Sequence, residues 1–319
     1  MTVTPLAPVV IPVGGPLRRI HLKLEGRGEG GSIKGRTARA LVRSLEVSGQ
    51  LRPDSVIVES TSGNLGVGLA EVARIKGYRF LAVVDPGVPT RALGRMRELG
   101  AEVHAVREAD PNGGFLHARL EHVRQLCDSS DRFVWTDQYA NPANPAVHEL
   151  ETGPEMWEQT RGRIDALFVA VSTGGTLAGL GAFFRRVEPR VRIVGVDVAG
   201  SVVLGGTPAP RLLNGIGSAQ GSMFLRPELF DDAVIVDGME AIVACRALAA
   251  ESRLRVGGSS GAVIAAACQY LEAESDLLHP VCICPDGGEN YEDTIFDDAW
   301  VRARELLATR GPPGVEVSA

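Results

Sequence analysis

Residues 55–85, SVIVESTSGNLGVGLAEVARIKGYRFLAVVD, run through a β-branched stretch, a small-residue turn, an apolar helical stretch and a second β-branched stretch. A strand returned by a helix crossover lies parallel to its predecessor, so this unit predicts a parallel sheet. The pattern continues through a helix over Thr90 to Leu99, a strand over Ala101 to Val106 and a helix over Gly114 to Leu126. It resumes with a strand over Ala166 to Val171, a helix over Thr176 to Val187 and a strand over Val191 to Asp197. The expected fold class is α/β, with two open, mostly parallel sheets flanked by helices. Between the two groups lies Asp137-Gln-Tyr-Ala-Asn-Pro-Ala-Asn-Pro145, whose Pro and Asn content is expected to continue neither a helix nor a central strand; the domain junction is placed there.

A length of 319 residues fits about two domains. Hydrophobic residues make up 45% and charged residues 23%, a globular balance that excludes a disordered or fibrous chain. No run of 18 apolar residues is present to span a membrane. The basic residues near the N-terminus follow the apolar stretch, the wrong order for a secretory signal, and the expected location is cytoplasmic. A net charge of −6 gives no electrostatic case for nucleic acid or an anionic membrane. Five cysteines do not form a disulfide framework, and Cys282 and Cys284 read as part of a short strand. The six histidines show no metal-ligand spacing, and His117 and His122 are expected on helix faces.

Ligands of open α/β folds sit beyond the carboxyl ends of strands, so the segments after each strand matter most. Gly30-Gly-Ser-Ile-Lys34-Gly-Arg-Thr37 places one lysine between a glycine-rich turn and an amphipathic segment, Thr37 to Val47. Near a helix N-terminus such a lysine has a lowered pKa and can act as a Schiff-base nucleophile; a solvated loop lysine fits the same residues. Glu59-Ser-Thr-Ser-Gly-Asn-Leu-Gly66 converges hydroxyls and helix amides on one point, suited to a carboxylate, with a plain N-cap as the alternative. Val171-Ser-Thr-Gly-Gly-Thr-Leu-Ala178 lets backbone N–H groups approach an anion closely. No Gly-Lys-Ser/Thr follows, which excludes a Walker A loop; a cofactor phosphate is the expected guest, with an ordinary tight βα turn as the alternative. Gly257-Gly-Ser-Ser-Gly-Ala262 is a third small-residue turn, whereas Gly215-Ile-Gly-Ser-Ala-Gln-Gly221 has the wrong spacing for a dinucleotide fingerprint.

Taken in order, with Gln138-Tyr-Ala-Asn-Pro-Ala-Asn144 between the second and third motifs, this constellation resembles the cysteine synthase family of fold-type II pyridoxal-phosphate enzymes, from Thr4-Pro-Leu6 to about Asp298. Ile57-Val-Glu-Ser-Thr-Ser-Gly-Asn64, Val84-Asp-Pro86, Gly113-Gly-Phe-Leu116, Trp135-Thr-Asp-Gln-Tyr139 and Asp197-Val-Ala-Gly-Ser-Val202 are most similar to its 2,3-diaminopropionate branch, which serves siderophore and peptide-antibiotic pathways. The resemblance implies a tryptophan synthase β-like fold and pyridoxal 5'-phosphate as cofactor. It implies a β-replacement joining O-phospho-L-serine and L-glutamate to N-(2-amino-2-carboxyethyl)-L-glutamate with release of phosphate. It also implies a homodimer, a pathway dehydrogenase acting on the product, a smaller mobile substrate domain (35–144) and a larger cofactor domain (1–34 plus 145–319).

By the same resemblance, Lys34 would hold the cofactor as an internal aldimine and then move the Cα proton. Ser172, Thr173, Gly174, Gly175 and Thr176 would bind its phosphate, Asn64 its ring hydroxyl, and Ser259 its pyridine nitrogen, where a neutral hydroxyl favours β-elimination through an aminoacrylate over transamination. Thr61, Ser62, Asn64 and Gln138 would take the first carboxylate, and Arg119, Tyr139 and Ser172 the carboxylates of glutamate; for Arg119 a solvated helix arginine is the alternative. Arg211 is a weaker candidate for the leaving phosphate. Carboxylate binding would draw the smaller domain shut and exclude water.

The chain departs from the family pattern in two places near the lysine. Gly28-Glu29 replaces the usual Asn-Pro, and Gly35 replaces an acidic or small polar residue, from which a looser backbone around Lys34 is expected. The chain also opens almost at Thr4, where the family commonly has a longer N-terminal arm, and no haem-binding or regulatory extension is expected. A cysteine synthase using O-acetyl- or O-phosphoserine with sulfide would share every cofactor residue and differ around Tyr139 and Arg119. A cofactor-binding regulatory scaffold without turnover is the non-enzyme alternative, against which Lys34 and Asn64 speak.

Overall fold

The structure, a computed structural model, describes residues 3–110 and 114–310, with side chains to Arg304. Gly113 of the Gly-Gly-Phe-Leu motif and the tail 311–319 lie outside the described residues. The chain opens with β1 (Leu6–Pro12) and β2 (Leu17–Leu24), followed by α1 (Lys34–Val47). An alternating set comes next: β3 (Val56–Ser60), α2 (Asn64–Lys76), β4 (Arg79–Val84), α3 (Thr90–Glu98), β5 (Glu102–Ala105), α4 (Leu116–Ser129) and β6 (Phe133–Trp135). Helices α5 (Ala143–Val147) and α6 (Gly153–Thr160) flank a π-helical turn, His148–Thr152. The rest is β7 (Ala166–Ala170), α7 (Gly175–Val187), β8 (Arg192–Val198), β9 (Asp232–Val236), α8 (Gly238–Ser252), α9 (Gly258–Ala273), β10 (Pro280–Cys284) and α10 (Asp298–Arg310).

These strands form a four-stranded sheet, β5-β4-β3-β6, and a six-stranded sheet, β1-β2-β10-β7-β8-β9. Every pairing is parallel except the β1–β2 hairpin, as the strand–helix alternation requires. Helices cover both faces of each sheet, and the central strands β3 and β10 are buried along their whole length. Cys282 and Cys284 therefore sit on a strand buried on both faces, with free thiols. Ala38, Leu41, Val42 and Leu45 of α1 pack with Ile57, Leu69 and Phe80 on one face of the four-stranded sheet. On the six-stranded sheet, α9 contributes Val263, Ala266 and Ala267 to one face, and α7 contributes Leu177, Leu180 and Phe184 to the other. Each fully buried Val, Leu, Ile or Phe among them is worth about 1.5–3 kcal/mol of transfer free energy.

Helix α5 corrects one expectation. Ala143–Val147 is helical although it contains Pro145, because proline within the first turn of a helix removes an N–H that has no intrahelical partner there. The first turn of α1 is anchored by a buried ionic cluster. Arg36 donates to Glu25 at 2.9 Å and pairs with Glu155 at 2.8 Å, while Lys23, wholly buried, bonds Glu155 and the Thr4 carbonyl. Charge-assisted bonds of this kind fix orientation strongly once the charges are desolvated. They hold the helix that begins at Lys34 against β2 and α6.

Candidate active site

A cleft opens at the carboxyl ends of strands from both sheets. Lys34, Thr61, Ser62, Asn64, Arg119, Gln138, Tyr139, Ser172, Thr173, Gly174, Thr176 and Ser259 all line it. Gly175 is the exception: it is buried behind the cleft, where a Cβ would lie 2.2 Å from Asn144 Oδ1. Arg211 is exposed and outside the lining.

Lys34 is the first residue of α1. The preceding residue is held by Ile33 N–H donating to the Pro285 carbonyl at 2.7 Å, and Ser32 bridges to Asp286. Burial pushes the Lys34 amine down to about 8, opposed by the nearby Asp286 carboxyl. The backbone here is tight, contrary to the looser one expected. Gly35 meets the Glu29 carbonyl so closely that a Cβ would stand 2.1 Å from its oxygen, so glycine is required at the residue after the lysine.

The turn after β3 is built around the Thr61 hydroxyl, which accepts from Gly63 N–H at 3.2 Å and Gly66 N–H at 2.9 Å. Asn64 starts α2, donates to Asp286 at 2.8 Å and accepts from Asn290 at 3.3 Å. Tyr291 also donates to Asp286, at 2.7 Å. Burial raises the Asp286 carboxyl above its ordinary range while these two donors oppose the shift. Its other oxygen, Oδ1, has no hydrogen-bond partner.

The loop after β7 makes the third wall. Gly174 has φ +89°, and a Cβ there would strike Ser222 Oγ at 2.1 Å, so only glycine lets α7 begin at this point. Ser172 donates to the Gly217 carbonyl at 3.1 Å, and Ser222 donates to the Thr173 carbonyl at 2.6 Å. The amides at the N-terminus of a 13-residue helix face the same place, an arrangement suited to an anion. Ser259, in the first turn of α9, is buried at the cleft wall.

Arg119, on α4, is 6% exposed and its Nη1 pairs with Asp85 Oδ2 at 2.9 Å; its Nε has no hydrogen-bond partner. Burial raises the Tyr139 hydroxyl to about 12, with Arg119 opposing, so it stays protonated and able to donate. The Arg119 Nε and the Ser60 hydroxyl are orphaned buried polar groups in the cleft lining that a polar ligand there would satisfy.

Sequence reasoning missed four residues behind the lining. Asn144 donates to the Gln138 carbonyl at 2.8 Å and to Thr173 Oγ1 at 3.0 Å, tying two walls together. His148 lies 3.4 Å from Thr37 Oγ1 and 3.3 Å from Thr176 Oγ1, and burial keeps its pKa well below the usual imidazole range. Glu59 and Asp286 are the other two; each has a partner far away in sequence, Trp135 and Asn64, so no spacing signals them. Gly215, set aside with its non-dinucleotide turn, lies at the cleft mouth. Among the described residues no group of three or more His, Cys, Asp or Glu is placed to hold a metal, and no helix is long and apolar enough to cross a membrane.

A buried lysine with a depressed pKa, a glycine-rich anion loop at a helix N-terminus and parallel sheets opening on one cleft are the parts of an enzyme that holds a phosphorylated aldehyde cofactor. The family profile described as pyridoxal-phosphate dependent enzyme matches residues 2–282, and the chain belongs to this family. Its cofactor is pyridoxal phosphate. Two relatives, each named N-(2-amino-2-carboxyethyl)-L-glutamate synthase, come from Ralstonia nicotianae (39% identical over 298 residues, 93% of this chain and 88% of that one) and Cupriavidus metallidurans (38% over 299 residues, 93% and 87%). The O-acetylserine dependent cystathionine beta-synthase of Helicobacter pylori superimposes with a TM-score of 0.83 at 28% identity, covering 91% of this chain and 94% of that one.

Proposed function

We propose that this enzyme joins O-phospho-L-serine and L-glutamate to N-(2-amino-2-carboxyethyl)-L-glutamate, with release of phosphate, as a step toward L-2,3-diaminopropionate for a siderophore or peptide antibiotic. The observation that carries the reading is Arg119: a nearly buried guanidinium, held through Nη1 by Asp85, whose Nε lacks a hydrogen-bond partner in the wall of the cleft that holds Lys34. A cation so placed recognises a second carboxylate, which glutamate brings and sulfide does not. The names of the two curated relatives support the same reading.

Pyridoxal phosphate, when bound, supplies an electron sink that lets an amino acid lose its Cα proton and its Cβ leaving group. Lys34 holds the cofactor and, as a neutral amine above about pH 8, takes and returns the Cα proton. Ser172, Thr173, Gly174, Gly175 and Thr176 hold the cofactor phosphate, and Asn64 and Ser259 hold its ring. Thr61, Ser62, Asn64 and Gln138 bind the carboxylate of the first substrate; Arg119, Tyr139 and Ser172 bind glutamate. The four-stranded part, 35–144, closes over the larger part, 1–34 plus 145–319, and excludes water. The enzyme works in the cytoplasm as a homodimer and passes its product to a dehydrogenase.

The test is a competition. Purified holoenzyme receives O-phospho-L-serine with equimolar L-glutamate and sulfide, and mass spectrometry identifies the products. The proposal expects the glutamate adduct in excess; cysteine as the main product would assign the chain to sulfide-dependent β-replacement instead.

A further inference from the structure

Glu59, the fourth residue of β3, is wholly buried and lies behind the cleft lining. Its carboxylate is met by four donors. Oε1 accepts from Ser60 N–H at 2.8 Å and Trp135 Nε1–H at 3.2 Å; Oε2 accepts from the Thr136 hydroxyl at 2.5 Å and Gln138 N–H at 3.0 Å. Among the described residues no cation pairs with it; burial pushes the carboxyl up to about 7, and the bonds from Thr136, Trp135 and Gln138 oppose that shift.

Three of the four donors belong to the segment Trp135 to Gln138, which leaves β6 and turns into the cleft. Between Thr136 and Gln138, Asp137 adopts φ +49°, the left-handed region that strains a non-glycine residue. Glu59 grips the chain on both sides of that residue and so offsets the strain. Gln138 is thereby held at its N–H by Glu59, at its carbonyl by Asn144, and at its side chain by donation to the Ser60 carbonyl at 2.8 Å.

We infer that Glu59 is a positioning residue for amino-acid binding: its carboxylate fixes the Thr136–Tyr139 turn against the loop after β3, and so sets where Gln138 and Tyr139 present their donors. This rests on the proposed reading of Gln138 and Tyr139 as substrate contacts. The carboxylate is suited to the task because all four partners are donors. In Glu59→Gln, whichever way the amide turns, its NH2 faces a backbone N–H, that of Ser60 in place of Oε1 or that of Gln138 in place of Oε2, which loosens the turn without removing volume.

The experiment uses holoenzyme of the wild type, Glu59→Gln and Thr136→Val. Cofactor content and thermal midpoint are measured first, and then O-phospho-L-serine and, separately, L-serine are titrated against the cofactor's visible absorbance. Glu59→Gln should keep the cofactor and bind both amino acids about 10-fold or more weakly, and Thr136→Val, lacking one donor, about 3-fold or more weakly. If both variants bind with wild-type affinity, with or without a lowered midpoint, Glu59 is structural only and the inference is overturned. Should Glu59→Gln fail to yield holoenzyme, Thr136→Val decides alone. A wild type that answers to neither amino acid overturns the substrate reading itself, a result distinct from variants that match a responsive wild type.

Discussion

Asn64 donates its side-chain amide to Asp286 at 2.8 Å, joining the first turn of α2, beside the four-stranded sheet, to the loop that leaves β10 in the six-stranded one. Residues 222 positions apart in sequence thus meet at the cleft. Since Tyr291 donates to the same carboxylate oxygen, Asp286 is the shared acceptor of two buried donors. Asp286→Ala strands both, at a cost of about 1–3 kcal/mol for each unsatisfied group, and lowers the melting temperature. Asp286→Asn keeps one acceptor oxygen and should lose markedly less. Calorimetry of the two variants checks this ordering; equal, wild-type melting in both would refute it.

Capture of free pyridoxal phosphate by apoenzyme requires Lys34 as a neutral amine. Because burial lowers its pKa to about 8, the capture rate should rise with pH and level off above about 8. An ordinary lysine would keep gaining rate to beyond pH 10. Stopped-flow absorbance across pH 6.5–10 separates the two, and a rate still climbing past pH 9.5 would show that Lys34 is not desolvated as described.

Arg119→Lys keeps the positive charge but loses the planar fork that Asp85 aims. Its kcat/KM for L-glutamate should fall about 10- to 100-fold, with the spectral affinity for O-phospho-L-serine changed by less than about 3-fold. Steady-state kinetics varying each substrate in turn gives the comparison. An equal loss for both substrates would place Arg119 outside acceptor recognition.

Gly175→Ala puts a methyl group 2.2 Å from Asn144 Oδ1, and the asparagine must withdraw from Gln138 and Thr173. Overpacking of this kind costs about 1–3 kcal/mol, and here it also frees the phosphate loop. Cofactor affinity, measured by equilibrium dialysis, should drop at least about 10-fold, and unchanged retention would mean that the Asn144 bridge does not set the loop.

Much of the fold was legible because the strands that matter are buried on both faces and read as unbroken apolar runs, Ala166–Ala170 and Pro280–Cys284 among them. The N-terminal hairpin was not, since Pro8 and Pro12 mask an edge strand that is half exposed. The cleft lining was legible where a motif follows a strand directly, as at Thr61 or Ser172. The residues behind it were not. Glu59, Asn144, His148 and Asp286 act through partners 28 to 222 positions away for some of their bonds, and only packing reveals such pairs. Gly35 shows the limit most plainly: a substitution that reads as loosening in the sequence admits the Glu29 carbonyl in the structure.

The most direct test of the proposed reaction is a stepwise absorbance experiment on holoenzyme. O-Phospho-L-serine is added first, with released phosphate measured alongside, and L-glutamate or sulfide follows. The account predicts a shifted visible spectrum and stoichiometric phosphate after the first addition, then return to the starting spectrum with L-glutamate only. A spectrum restored by sulfide and untouched by L-glutamate would contradict it.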